Sequence, residues 1–375
     1  MTQQKSERRI TAKATGNRGV TDGLECHGGA KATPVEQQSR QLGLPFGTAE
    51  KSSRGDINAR AVQHQGRTAR SEVPKPGVSE QAVVAATMME DVCKRLNNAF
   101  ENVAANKGAA GPDRQSIEQV REHWSDLRRQ LETELLEETF RPGNIRRAWI
   151  PKASGGERPL GIPNVIDRVV QEAVRQVLEP IFEPTFHEAS HGFRPNRSCH
   201  TAIAKATEYV EEGYDWVVDI DLENFFGTVC HQRLMARLAQ RVRDRRVLVL
   251  IGNMLKAKVT LPDGVIVRND EGVPQGGPLS PLLSNIVLDE LDRELAMRGH
   301  RFVRYADDCN VYVQSQRAGE RVMKSVTLFI ERRLRLKVNQ AKSAVARPEE
   351  RHFLGFRLRC KPEDGSVEVL LSKRS

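Results

Sequence analysis

Apolar residues begin to recur at helical spacing near Val83, and Met88, Val92, Leu96 and Ala99 continue the stripe, so a folded domain is predicted to open there with a helix. Val120, Trp124, Leu127, Leu131 and Leu135 mark one face of a second helix over 117–138. The period then changes. The chain turns at Arg141-Pro142-Gly143-Asn144, and two prolines with alternation through 146–151 argue for an extended segment; Gly155-Gly156 supplies a turn, so this part reads as a hairpin. Helices are predicted over 165–178 and 198–211, a short apolar strand over 216–222, and further helices over 231–256 and, beyond a Pro/Gly-rich loop, 279–297. Strands return over 302–313, a last helix covers 319–334, and short strands fall near Lys337, Phe353 and Val367. Helices mixed with short, turn-linked strands predict an α+β fold rather than a parallel βαβ array.

Before the first stripe the pattern is blank. Residues 1–76 are rich in Gly, Ser, Thr, Gln, Arg and Lys, with Phe46 the sole aromatic, and such a segment buries too little apolar surface to offset chain entropy. It is expected to be a disordered basic leader. The whole chain of 375 residues carries a formal net charge of +9, which makes a phosphate backbone the first partner to consider. A basic enzyme acting on a small anionic substrate would share that charge. No run approaches the roughly 20 apolar residues needed to span a bilayer, and no apolar segment follows the charged N-terminus, so a cytoplasmic protein without a membrane partner is expected. Cys26, Cys93, Cys199, Cys230, Cys309 and Cys360 are scattered, with no C-x-x-C pair, and read as reduced thiols.

Two acidic clusters turn a basic binder into a candidate enzyme. In Phe302-Val303-Arg304-Tyr305-Ala306-Asp307-Asp308-Cys309-Asn310-Val311-Tyr312-Val313, β-prone arms flank an Asp-Asp turn that fixes two carboxylates at a hairpin tip. In Trp216-Val217-Val218-Asp219-Ile220-Asp221-Leu222, alternation puts Val218, Ile220 and Leu222 on one face and both aspartates on the other. Repelling carboxylates on rigid elements suit a hard divalent cation, and two such metals about 4 Å apart would activate a 3′-hydroxyl and stabilise a leaving pyrophosphate. Ordinary turn aspartates are the bland alternative, and an ion pair with a nearby arginine is a reasonable one for Asp219.

Tyr305-Ala306-Asp307-Asp308 resembles the YxDD signature of reverse transcriptases, in the alanine form typical of group II intron proteins. Other blocks agree in order and spacing. The run from Lys152 to Pro163 resembles the family's first fingers motif, and His191-Gly192-Phe193-Arg194-Pro195-Asn196-Arg197-Ser198 its second. Gly272-Val273-Pro274-Gln275-Gly276-Gly277-Pro278-Leu279-Ser280-Pro281 resembles the template-and-nucleotide loop, and Phe353-Leu354-Gly355-Phe356 the primer-grip region. The resemblance covers about Met88 to the C-terminus. It implies a right-hand polymerase palm and fingers over 77–375, copying an intron RNA template from a DNA or RNA primer with dNTPs and two Mg²⁺ ions.

Residue by residue, the resemblance implies that Asp221, Asp307 and Asp308 bind the metals, and that Lys342 protonates the leaving pyrophosphate. Phe226 falls where the family has a bulky gate against the ribose 2′-hydroxyl. Lys152 and Arg158 bracket a glycine turn and are expected to grip the triphosphate. Gln275 is expected at the nucleotide, with Gly276 and Gly277 letting the template approach. Arg194 and Arg197 precede a helix start and are expected to hold template phosphates. Gly227 replaces a usual Asp, and Arg114 and Pro112 depart from the family's early glycine block. The sequence stops where the family's thumb, or maturase domain, would begin, and no endonuclease cysteine pairs are present, so those domains are expected to be absent. An RNA-binding splicing cofactor, an inactive truncated copy and an RNA-directed RNA polymerase are the competing readings.

Overall fold

The computed structural model describes residues 89–151, 155–361 and 366–371. The leader expected over 1–76, the start of the first stripe at Val83 and Met88, and Cys26 and Lys152 lie outside the described residues. Helix α1, Met89–Ala105, buries Val92, Leu96, Ala99, Phe100 and Val103 along one stripe. The helix predicted over 117–138 is two, α2 (Ile117–Glu122) and α3 (Trp124–Leu136), because His123 leaves helical geometry at φ −109°, ψ 11°. A capping box between Ser116 and Gln119 starts α2.

Strands β1 (Ile145–Pro151) and β2 (Glu157–Ile162) form the expected hairpin, paired from Arg146↔Ile162 to Pro151↔Glu157. Helix α4, Val165–Phe182, buries Val169, Val170, Ala173, Val174 and Leu178 completely and packs along α1. Helix α5 (Cys199–Glu211) opens on a Ser198/Thr201 capping box and leads to β3 (Trp216–Ile220). Short α6 (Phe225–Thr228) comes next. The helix predicted over 231–256 is α7 (His231–Leu238) and α8 (Arg245–Leu255), since Asp244 caps the second by accepting from the Arg246 backbone N–H. Strands β4 (Val259–Thr260) and β5 (Ile266–Val267) extend the first sheet to the order β2-β1-β4-β5, with β1 and β4 parallel.

Helix α9 (Ser280–Met297) precedes β6 (Arg301–Tyr305) and β7 (Asp308–Val313). Helix α10 (Gln316–Phe329) continues as a π-type turn, Ile330–Leu334, ended by left-handed Arg335 at φ 60°. The strand expected near Lys337 is only a bridge between Leu222 and Val338; the pairing strand is β8, Ala344–Ala346. Strands β9 (Phe356–Cys360) and β10 (Val367–Leu371) form a separate ribbon.

The second sheet, order β6-β7-β3-β8, is antiparallel throughout and buries both faces. Val218, Ile220, Phe302, Cys309 and Val311 join the large helical core, while Val217, Val303 and Tyr312 pack with Ala202, Ile203, Ala206 and Phe353. Period-two alternation thus covers part of the face expected to be open, and only its carboxylate end is left for chemistry.

Candidate active site

The β6–β7 hairpin closes at the pair Tyr305↔Asp308, leaving Ala306-Asp307 as a two-residue loop. Ala306 adopts φ 56°, a left-handed conformation that an L-residue takes at a penalty of roughly 1–2 kcal/mol. Its carbonyl is held by Arg304, the largest wholly buried side chain, whose Nη1 donates to it at 2.8 Å. The same guanidinium donates to both oxygens of Asp292 at 2.7 and 2.6 Å, to Asn285 at 3.0 Å and to Ser190 at 2.6 Å. Against the other side of the turn lies Gly192, where a Cβ would stand 2.2 Å from the Ala306 nitrogen. Backbone bonds His191 N–H to Arg304 O and Arg304 N–H to Ala189 O, both 2.8 Å, lay this segment along β6.

Register then brings the second acidic strand to the tip. Ile220 pairs with Cys309, so Asp221, the next residue along, emerges at the Asp308 end of the sheet. Its main chain is fixed from outside: the Asp221 N–H donates to Ser343 Oγ at 3.0 Å, and its carbonyl accepts from Asn339 N–H at 2.8 Å. That turn also carries Lys342, whose Nζ lies 3.6 Å from Asp221 Oδ2. Asp219 instead pairs with Arg351 at 2.6 Å, the ion-pair alternative.

The carboxylates sense one another. Asp308 is pushed up to about 7, by burial first and then by repulsion from Asp307, Asp219 and Asp221, with Lys342 opposing. Because the Asp308 residue is open to solvent at the hairpin tip, water screens the burial contribution, and the repulsion is the more durable of the two. Asp307 is raised by burial and by Asp221, with Arg158 opposing. Asp219 is raised by burial and by Asp221, with Arg351 opposing. Among the described residues no three His, Cys, Asp or Glu side chains are already drawn to metal-ligating spacing. Carboxylate oxygens that repel one another at one sheet end are nonetheless the donor set a hard divalent cation takes, since its charge removes the repulsion.

Beside the tip, Arg158 Nε donates to Gln275 Oε1 at 3.0 Å, and Gly161 N–H donates to the Gln275 carbonyl at 2.6 Å, stitching the β1–β2 hairpin to the 274–277 loop. Together they wall a cleft of about 330 Å³ lined by Arg147, Trp149, Pro159, Phe226, Gly227 and Gln275. Phe226 is buried, edge-on to Phe225, and is one of the residues lining the cleft. Gly276 needs its hydrogen, at φ 123° and with Gly161 O only 2.4 Å from where a Cβ would stand.

Three expected contacts need revision. Arg194 does not await a template phosphate: its side chain is 5% exposed, pairs with Glu183 at 2.8 Å and donates to the carbonyls of His187 and Ser190, so burial and saturation assign it to the fold. Arg197 donates to the Glu188 carbonyl and is half-buried, which leaves it only partly available. Gly277 is buried, and Gln171 Oε1 lies 2.1 Å from where a Cβ would stand, so the space it leaves is already filled by that side chain rather than open to a template. Sequence reasoning overlooked Arg304 and Arg351. An arginine between Val303 and Tyr305 in a β-prone run was the available signal, since a buried strand that accepts a cation must offer it an anion.

The family described as reverse transcriptase (RNA-dependent DNA polymerase) matches residues 150–358, a span that contains the β6–β7 hairpin, the acidic strand and most of the residues lining the cleft, and the chain belongs to that family. Such enzymes use divalent metal ions and bind an RNA template and a primer. The chain is 36% identical to protein YkfC of Escherichia coli K12, over 61% of this chain and 70% of that one. It is 32% identical to the group II intron-encoded protein LtrA of Lactococcus lactis subsp. cremoris, over 55% of this chain and 34% of LtrA. It is 30% identical to the putative COX1/OXI3 intron 2 protein of Saccharomyces cerevisiae, over 56% of this chain and 24% of that protein. Two of these relatives are intron proteins by name, and the chain spans about a third or less of the length of each. No described helix is long and apolar enough to cross a membrane.

Proposed function

We propose that the protein copies an intron RNA template into DNA, adding deoxynucleotides to the 3′-hydroxyl of a DNA or RNA primer, with residues 77–375 acting as fingers and palm. The observation that carries this reading is the convergence of Asp221, Asp307 and Asp308 at one end of a buried sheet with their charges coupled. Two Mg²⁺ ions held by these three residues would supply an activated 3′-hydroxyl and neutralise charge on the leaving pyrophosphate. Arg158 faces the triphosphate, Gln275 orients the nucleotide through the Arg158 bond, and the Phe226 ring closes the cleft where a 2′-hydroxyl would sit. Lys342, beside Asp221, donates a proton to the departing pyrophosphate. A cytoplasmic location fits Cys93, Cys199, Cys230 and Cys309, which form no disulfide.

Single-turnover primer extension on an RNA template tests the reading. Asp221→Ala, Asp307→Ala and Asp308→Ala should each lower the rate by about 10²–10⁴-fold, the equivalent of several kcal/mol of transition-state stabilisation, while the melting temperature holds. Full activity in Asp307→Ala protein would refute the assignment.

A further inference from the structure

Asp219 has no task in the proposed polymerase reaction, yet it shares the catalytic strand and is 19% exposed. Its partner Arg351 is 132 residues away in the chain, and both Nε and Nη2 donate to one oxygen, Asp219 Oδ2, at 2.8 and 2.6 Å. The same Nη2 also donates to the Lys342 carbonyl at 2.5 Å. One guanidinium therefore touches strand β3 and the turn that carries Lys342. Asn339 and Ser343 of that turn bond the main chain of Asp221, the residue after β3, and the turn runs on into β8, where Ala344 pairs with Asp219.

A charge pair that only neutralised Asp219 would need no second acceptor, and none on that turn. We infer that Arg351 is a positioning residue: anchored on Asp219, it clamps the 339–343 turn against the end of β3 and so sets where the Lys342 ammonium stands relative to Asp221. Lys342 is 63% exposed on a flexible stem and makes a 3.6 Å ion pair, too weak by itself to fix the turn beneath it. Backbone anchors and the guanidinium do that, and only the guanidinium is removable by a side-chain change that spares Asp221, Lys342 and the turn itself.

The inference rests on the polymerase reading for its functional half, and its test separates the two. The full chain, Arg351→Ala, Arg351→Lys, Asp219→Asn, Lys342→Ala and the Lys342→Ala/Arg351→Ala pair are compared in two measurements. In hydrogen–deuterium exchange, Arg351→Ala and Asp219→Asn should speed the amides of Asn339, Ser343 and Asp221 about tenfold relative to those of α4, with Arg351→Lys between them and the parent. In single-turnover addition on an RNA template, Arg351→Ala should lower the maximal rate about 10–100-fold with dNTP affinity changed less than about threefold, the mark of misplacement rather than lost binding. Arg351→Lys should recover part of that loss, and the double variant should be no slower than Lys342→Ala, because the clamp acts through the lysine. Unchanged exchange at those amides overturns the clamp whether or not the parent extends a primer. Multiplicative losses in the double variant overturn its action through Lys342. Absence of any extension by the parent removes the polymerase reading, and the exchange comparison still decides the clamp.

Discussion

Replacing Arg304 with methionine keeps much of the side chain's length and removes its charge, and the burial of its partner sets the size of the effect. Arg304 and Asp292 are each wholly buried and bonded through both carboxylate oxygens, so Arg304→Met strands an anion in the core. Breaking one side of such a pair costs about 3–5 kcal/mol, out of a total stability of roughly 5–15 kcal/mol. At roughly 2–4 °C per kcal/mol the melting temperature should fall by about 6–20 °C. The second site tells charge from volume: Asp292→Asn with Arg304→Met removes the stranded anion and should restore about half of the loss. Activity reports the other role of the residue, since the Ala306 carbonyl loses its donor and the left-handed turn its brace. Below the melting transition, folded Arg304→Met protein should extend primers about 10²-fold more slowly, the scale of a displacement near 1 Å. Differential scanning calorimetry and single-turnover extension check both halves. A single variant within about 1 kcal/mol of the parent, or a double variant no more stable than the single one, would show that the buried pair does not brace the turn.

Phe226→Val should open the cleft to a 2′-hydroxyl, so competition between dATP and ATP on one RNA template should shift toward ribonucleotide by about 10–100-fold with dATP use changed far less; an unaltered ratio returns Phe226 to the core. Stability without divalent cations should depend on pH through the carboxylates whose acidity the fold weakens. Asp308, pushed up to about 7, and Asp167, pushed up to about 6 by burial, each hold a proton in the folded chain that the unfolded chain releases near pH 4. The native state therefore binds more protons between about pH 4 and 7, and urea midpoints should decline as pH rises through that window. Asp308→Asn should flatten the upper part, from about 6 to 7, leaving the share of Asp167; a midpoint that instead climbs across the window refutes the coupling.

How much the sequence made legible depends on the range of the forces involved. The Asp-Asp hairpin and the acidic strand could be read because alternation and turn chemistry are local, and the pairing Tyr305↔Asp308 needs nothing from elsewhere. The breaks at His123 and before Asp244 were hidden because apolar spacing runs straight across them; Asp244 is a capping residue, and the cap was the signal to weigh against periodicity. Arg194 was misjudged for the opposite reason. A cation next to a helix start suits a phosphate as well as it suits Glu183, and only the fold shows that the carboxylate and two carbonyls arrive first. Arg351 carried no local mark, since its two acceptors, Asp219 and the Lys342 carbonyl, belong to segments far apart in the chain that only the fold brings together.

The turn between β6 and β7 is hemmed in by backbone at Gly192, by the Arg304 guanidinium at the Ala306 carbonyl, and by the strand pair below. The β1–β2 hairpin beside the cleft is tied more lightly, by the Arg158–Gln275 and Gly161–Gln275 bonds, by Arg146 Nη2 on the Ala110 carbonyl and by strands of two residues at β4 and β5. The molecule thus separates an anvil from a jaw. If the cleft holds the nucleotide as proposed, changes in what is gripped can accumulate in the jaw without moving the carboxylates, whereas any residue larger than glycine at 192 strikes the anvil directly. Diversification of such an enzyme is channelled accordingly, toward new substrates around an unaltered chemical step.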